Sequence, residues 1–88
     1  MPQAMGTVET RGLIAAIDAA DAMLKAARVQ IRDFTIVGSG LVSVIVEGDV
    51  AAVQAAVASG QSAAEKVGVL ISSNVIANPS CEVEKLLG

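Results

Sequence analysis

The sequence predicts a two-layer α/β sandwich with the element order βαββαβ, a four-stranded antiparallel sheet that carries two helices on one face. Two observations lead to it. Four segments show β-type apolar patterns, and two intervening segments repeat their apolar residues with helical spacing. The second and third strands are joined directly by Gly38-Ser39-Gly40, as in a hairpin. With 88 residues, the chain is expected to form one domain over residues 1–88.

The first half of the sandwich begins with a strand at residues 5–10, followed by a helix at residues 13–27. Apolar residues of this helix recur at spacings of four, three and four; they are Leu13, Ile17, Ala20 and Leu24. The opposite stripe is charged and consists of Asp18, Asp21, Lys25 and Arg28. Asp21 and Lys25 form an i,i+4 pair with the acid first, which is the favourable order. A solvated helix face also explains this stripe.

The central hairpin follows. Residues 29–37 predict a strand whose alternation slips at Arg32-Asp33, which indicates a β-bulge or a bend. After the turn, residues 41–47 predict a third strand. Its core face is formed by Val42, Val44 and Val46.

The second half begins with Asp49, which is predicted to be the N-cap of a helix to residue 67 with its carboxylate accepting from first-turn N–H groups. The apolar stripe of this helix is Val53, Val57, Gly60, Ala64 and Val67. Residues 69–76 predict the last strand, Pro79 ends it, and residues 81–87 predict a short C-terminal helix. This order is that of a ferredoxin-like sandwich.

Composition indicates self-association. Hydrophobic residues make up 53% of the chain and the mean hydropathy is +0.65, which is more apolar surface than one small core buries. An alanine-rich monomer is the alternative. The net charge of −3 and the single aromatic residue, Phe34, argue against nucleic acid binding. We find no signal peptide or membrane-spanning run, and the one cysteine fits a cytosolic protein.

Chemistry-bearing motifs are scarce. The chain has no His and no Tyr, so the usual acid–base groups are mostly missing, and we predict no catalytic residue, no metal site and no cofactor. Ser39 has no histidine to activate it, and Gly38 and Gly40 match only part of a dinucleotide-binding fingerprint. Cys81 is interpreted as an incidental thiol. The turn itself is either an ordinary hairpin tip or a place where several copies crowd around an axis.

Four stretches together resemble the single-domain, hexamer-forming shell proteins of bacterial microcompartments, found in carboxysomes and metabolosomes. They are Gly6-Thr7-Val8-Glu9-Thr10-Arg11-Gly12, residues 15–27 (AAIDAADAMLKAA), Ile36-Val37-Gly38-Ser39-Gly40-Leu41-Val42 and residues 48–53 (GDVAAV). The match covers nearly the whole chain in the right order.

The resemblance implies a non-enzymatic shell protein in the bacterial cytoplasm. It implies a cyclic hexamer with Gly38, Ser39 and Gly40 around a central pore for small polar metabolites. Hexamers would tile laterally and associate with other shell proteins and encapsulated enzymes. Lys25 matches the family's edge lysine, which packs against its symmetry mate in the next hexamer.

Two edge positions depart from the family pattern. Arg28 stands where the family often has Asn or Gly, and Asn78 replaces the Arg of an Ile-Pro-Arg-Pro stretch. The lateral contact is therefore expected to be altered. A second function of another class stays open at this point, an oligomeric ferredoxin-like module that binds a small regulatory molecule between subunits.

Overall fold

The computed structural model describes residues 3–77 and confirms the predicted element order. The elements are β1 (Ala4–Arg11), α1 (Leu13–Ala26), β2 (Gln30–Gly38), β3 (Leu41–Gly48), α2 (Val50–Val67) and β4 (Val69–Ala77). Each bound lies within one residue of the predicted one. The predicted C-terminal helix, Pro79 and Cys81 lie outside the described residues.

The four strands form one sheet in the order β2-β3-β1-β4, and each neighbouring pair is antiparallel. Each helix connects two parallel strands that are separated by a third strand between them. This is the ferredoxin-like arrangement, so the predicted fold class is confirmed. β2 and β4 are the two edges of the sheet among the described residues.

The core lies between the sheet and the two helices. The predicted core face of β3 is confirmed, because Val42, Val44 and Val46 are buried while the residues between them are half-buried. α2 lies close over β1 at Gly6: a Cβ there would come within 2.8 Å of the Val53 side chain. The absence of a side chain at Gly6 therefore sets the distance between helix and sheet.

The predicted bulge of β2 is confirmed. The pairing of β2 with β3 shifts between Ile31 and Asp33, which leaves Arg32 as the extra residue. The Arg32 guanidinium reaches across to β3 and pairs with Glu47 at 2.8 Å. A second shift, between Ile36 and Gly38, leads into the turn.

The face of α1 that packs into the core is not the predicted apolar stripe with Leu13, Ile17 and Leu24. Its buried residues are Ala15, Ala16, Ala19 and Met23, whereas Leu13, Ile17 and Leu24 are about half exposed. Small side chains let α1 approach the sheet and α2 closely. A Cβ on Gly60 of α2 would lie 2.7 Å from Cγ of Met23, which shows how tight this approach is. The larger apolar residues are left outside the core of the single chain.

The predicted cap of α2 is only partly right. Asp49 occupies the N-cap position with extended backbone, but its carboxylate makes no capping hydrogen bond. Its backbone carbonyl accepts from the Val53 N–H at 2.8 Å, so the first turn is closed by the main chain. The stripe of α2 is buried at Val53, Val57, Gly60 and Ala64, but Val67 at its end is half exposed.

A large part of the apolar surface is uncovered. Every residue of β2 is exposed, including Phe34, Ile36 and Val37. On the other edge strand, Val69 and Ile76 are also more than half exposed. Among residues 3–77, no helix is long and apolar enough to cross a membrane.

Candidate functional site at the two ends of the sheet

The Gly38-Ser39-Gly40 turn closes the β2–β3 hairpin with two residues, Ser39 and Gly40, between the paired Gly38 and Leu41. All three turn residues have positive φ: 126° at Gly38, 52° at Ser39 and 79° at Gly40. Positive φ at both central residues is what a type I′ hairpin turn requires. Ser39 is the only non-glycine residue with positive φ in the described part of the chain. The turn thus presents one hydroxyl and a nearly bare main chain at the surface.

The turn is held by the junction between β1 and α1. The Gly12 N–H donates to the Gly40 carbonyl at 2.7 Å, and the Arg11 guanidinium donates to the Ser39 carbonyl at 3.4 Å. Gly12 itself has a φ of 99°. Its carbonyl accepts from the hydroxyl of buried Thr10 at 3.1 Å. The hairpin tip is therefore tied to the rest of the fold.

This tether was not predicted from the sequence. From the sequence, Arg11 and Gly12 are recognised only as the end of the stretch from Gly6 to Gly12 that resembles the shell-protein family. The available signal was Gly12 itself, because a glycine between a strand and a helix often marks a positive φ. Its partner on another strand cannot be read from local sequence.

Lys25 and Arg28 lie at the other end of the sheet. That end is defined by Ala4, which pairs with Gly48 on one side and with Ala77 on the other. A Cβ on Gly48 would lie 3.2 Å from the Arg28 carbonyl oxygen. β1 has eight residues, so the two ends are about 23 Å apart at 3.3 Å per residue. Asn78, the third predicted edge residue, lies outside the described residues.

Lys25 is a largely exposed cation. Its ammonium lies 2.9 Å from a carboxylate oxygen of Asp21, with the two side chains 75% and 60% exposed. The hydrogen bond from Lys25 to Asp21, and then the attraction between the two charges, raise the pKa of Lys25 above its ordinary value of 10.5. Lys25 is therefore positively charged at neutral pH.

A shallow groove of about 450 Å³ runs between the outer faces of α1 and α2. Lys25 lines it, as does Lys66 in the last turn of α2. Asp18 and Asp21 also line it, so the charges of the groove are mixed. Among residues 3–77 no group of three or more potential metal ligands is found.

Comparison with known proteins places the chain in a family. The BMC domain matches residues 4–79. The chain is 53% identical to the bacterial microcompartment shell protein PduA of Citrobacter freundii, over 97% of this chain and 91% of that protein. It is 49% identical to the carboxysome shell protein CcmK2 of Thermosynechococcus vestitus, over 99% of this chain and 87% of that protein.

The fold comparison agrees. A crystal structure of a microcompartments protein from Desulfitobacterium hafniense DCB superposes with a TM-score of 0.81 at 36% identity. The match covers 89% of this chain and 42% of that longer one, so this chain spans less than half of that protein. The chain belongs to the BMC domain family, and the predicted resemblance is confirmed.

Proposed function

We propose that this protein is a structural shell protein of a bacterial microcompartment, one that assembles into cyclic hexamers and then into a lateral layer. The family match supports the shell-forming role. The relatives that the chain matches over most of their length are named as shell proteins, which supports the same role. The same relatives disfavour a regulatory small-molecule-binding module. The protein is accordingly a component of a protein shell inside the bacterial cell and is not expected to be an enzyme.

The single observation that best supports a ring-shaped assembly is the separation between the two predicted sites, the turn for the pore and Lys25 for the edge. A subunit of a ring needs one end at the axis and another at the perimeter. The bare Gly38-Ser39-Gly40 turn lies at one end of the sheet, and Lys25, in the last turn of α1, lies toward the other end; β1 spans about 23 Å between these ends. This arrangement supports the turn as the pore lining and Lys25 as the edge residue.

The exposed apolar surface supports the ring. Neighbours in a cyclic ring meet through two different surfaces of the same chain. This chain has two exposed edge strands, β2 with Ile36 and Val37 and β4 with Val69 and Ile76. Burying such side chains contributes about 25 cal/mol per Å² of apolar area. We therefore expect the subunit to be poorly stable alone and stable in the hexamer.

The pore is proposed to pass small polar metabolites. Six Ser39 hydroxyls and nearby main-chain N–H groups would surround the opening, and such donors offset part of the hydration that a polar solute loses in passage. An apolar gas gains nothing from them. The layer would combine with other shell proteins around encapsulated enzymes.

Two measurements test the proposal. The mass in solution should correspond to six chains, and electron microscopy of the purified protein should show six-fold discs and extended layers without any added ligand. A monodisperse monomer at micromolar concentration would contradict the hexamer. A saturable small-molecule site without layers would instead favour the regulatory module.

A further inference from the structure

We propose that Asp33 and Asn74 block the two edges of the sheet against the addition of another strand, so that copies of this chain contact one another through side chains and not by joining their sheets. Each of the two residues turns its side-chain oxygen onto a backbone N–H that would otherwise be offered to a new strand. The contact between copies rests on the proposed function, whereas the block at each edge is a property of the single chain.

The phase of the hydrogen bonds shows which backbone groups point away from the sheet. In an antiparallel pair, residues directly opposite each other alternate between hydrogen-bonded pairs and pairs without hydrogen bonds. Gly12 and Gly40 lie opposite each other at the next position of the β1–β3 register, and the Gly12 N–H donates to the Gly40 carbonyl. Every second pair from there is hydrogen-bonded too, so Val44 and Gly6 direct their N–H and C=O groups into the β1–β3 ladder.

Phe34 on β2 and Val75 on β4 therefore direct their backbone N–H groups outward. Phe34 lies opposite Val44, whose groups already bond to β1. Val75 lies opposite Gly6, whose groups already bond to β3. A row of such outward N–H and C=O groups is what makes an edge strand a template for another chain.

Both of these outward N–H groups are occupied from within the chain. The Phe34 N–H donates to Oδ1 of Asp33 at 2.9 Å. The Val75 N–H donates to Oδ1 of Asn74, also at 2.9 Å. The same arrangement thus occurs on each edge, with the acceptor one residue before the donor. A strand that adds to either edge would have to break this bond first.

The edge β2 is also irregular, whereas the central pair of strands is not. β1 and β3 pair over eight residues without a shift. β2 has extra residues at Arg32 and at Val37, so only residues 33–36 between them keep one register with β3. Bulges and charged side chains are common means of protecting a sheet edge. On β2, Asp33 therefore adds to a protection that the two bulges already provide.

The edge β4 has a longer regular stretch. Its pairing with β1 shifts at Ile71, and residues 72–77 then follow in one register. The outward N–H of Val75 lies in the middle of this stretch. This edge is the better template for a new strand, so we expect the block at Asn74 to matter more than the block at Asp33.

The side chains of the two edges remain available to another copy. On β2, Ile36 is 66% exposed and Val37 is 61% exposed. On β4, Val69 is 53% exposed. Burial of such side chains stabilises a contact in proportion to the apolar area removed from water and requires no strand register. The two edges thus fit a second copy of this chain as the neighbouring surfaces of a ring.

The block is tested by fibre formation under mildly denaturing conditions, with thioflavin T fluorescence as the probe and a diffraction spacing of about 4.7 Å as evidence for added strands. Asn74→Val removes the acceptor and frees the Val75 N–H. Fibres should form about fivefold faster than in the matched control, the factor to which one net hydrogen bond corresponds. Ser72→Val is that control, because it places the same side chain two residues away on the same face of β4.

Two further comparisons sharpen this test. Asn74→Asp keeps an acceptor at the same position and should form fibres no faster than the unmodified protein. On β2, Asp33→Val should form fibres faster than its control Thr35→Val, but by a smaller factor than on β4, because the two bulges remain. If Asn74→Val does not fold, Asn74→Ala against Ser72→Ala makes the same comparison without the β-branched side chain.

The contact between copies is tested by the concentration at which hexamers dissociate, measured by mass on dilution. If neighbouring copies joined their sheets at β4, the N–H freed in Asn74→Val would add a hydrogen bond between them and lower this concentration. With a contact through side chains, Asn74→Val and Ser72→Val should dissociate at the same concentration.

The outcomes separate the two parts of the inference from the proposed function. Equal fibre rates in Asn74→Val and Ser72→Val would show an effect of β propensity alone and would overturn the block. A lower dissociation concentration in Asn74→Val than in Ser72→Val would overturn the contact through side chains. An unmodified protein that is monomeric at every concentration would contradict the proposed hexamer, while the fibre rates would still decide whether the edges are blocked.

Discussion

The N–H of Gly12 donates a 2.7 Å hydrogen bond to the carbonyl of Gly40, and this bond joins the β1–α1 junction to the tip of the β2–β3 hairpin. The two residues are 28 positions apart, and both have positive φ. The hydroxyl of Thr10 holds the Gly12 carbonyl from the buried side. The turn proposed to line the pore is therefore supported by a chain of contacts that starts in the core.

Thr10→Val tests this support. Valine keeps the shape of the fully buried threonine but removes the hydroxyl that donates to Gly12 at 3.1 Å. The free energy of unfolding should fall by about 1 kcal/mol, the usual net value of one hydrogen bond. Thr7→Val is the control, because Thr7 is half-buried on the opposite face of the same strand. Denaturant unfolding at matched protein concentration measures both, and equal effects would refute a special role for Thr10.

Gly60→Ala tests the close approach of the two helices. A Cβ there would lie 2.7 Å from Cγ of buried Met23, and overpacking of this kind costs about 1–3 kcal/mol. Alanine gains up to about 1 kcal/mol of helix propensity, so a net destabilisation of about 1 kcal/mol is expected. Ser62→Ala on the exposed face of α2 should have an effect within about 0.5 kcal/mol.

A double variant sharpens this prediction. If the clash is with Met23, then Met23→Ala should cost less in the Gly60→Ala background than in the unmodified protein, because the added methyl group fills part of the cavity. Thermal or denaturant unfolding of the four proteins gives the coupling. Additive effects would mean that the helices adjust elsewhere.

The elements and their order could be predicted because each carries its own local signal. The valines of β3 occupy alternate positions, the phase of β2 slips at Arg32, and the apolar residues of α2 recur at helical spacing. These signals need no knowledge of distant partners, and the structure confirms them.

What the sequence does not show is which apolar face is buried. In α1 the large residues Leu13, Ile17 and Leu24 suggest the core face, but the alanines and Met23 occupy it. The close approach of α2 at Gly60 leaves room only for small groups there, and that approach is a tertiary property. The same holds for the tether of the turn, since the partners Gly12 and Gly40 are far apart in the chain. Whether the Asp49 carboxylate caps the first turn of α2 depends on its side-chain rotamer, which the sequence does not determine.

Ser39→Leu tests transport through the turn. Leucine should narrow the opening and remove the hydroxyl, while the fold survives with a loss of about 1 kcal/mol from a bulkier side chain at a φ of 52°. Flux of a polar metabolite through assembled shells should decrease. Ser39→Asn is the control, since asparagine tolerates positive φ and keeps polar groups in the opening. Equal flux through shells of the unmodified protein and of Ser39→Leu would count against a transport role.

Asn78→Arg tests the altered edge. An asparagine cannot make the charged, forked contact that an arginine makes, so lateral association here should be weaker than in family members with Arg at this position. Introducing the arginine should lower the protein concentration at which layers appear. Light scattering and electron microscopy at matched salt measure this. An unchanged threshold would mean that this position does not contribute to tiling in this protein.

Lys25→Ala tests the edge itself. Lys25 is largely exposed and its ion pair with Asp21 lies at the surface, so its loss should cost the single chain well under about 1 kcal/mol. At a boundary between hexamers its stem would pack along a neighbour while the ammonium reaches backbone carbonyls. Because each hexamer repeats the contact on six edges, a small loss per lysine is multiplied across a layer. Hexamers should therefore persist while layers disappear.

Lys66→Ala is the matched control for this experiment. Lys66 lines the same groove between the helices and carries the same charge, but it lies in the last turn of α2, which runs back toward the Gly38-Ser39-Gly40 turn. Its removal should leave layers unchanged. Mass measurement first establishes that both variants are hexamers, and electron microscopy at matched concentration and salt then compares the layers. Layers of normal extent from Lys25→Ala would reject the edge assignment, and loss of layers in both variants would point to net charge rather than to a contact at Lys25.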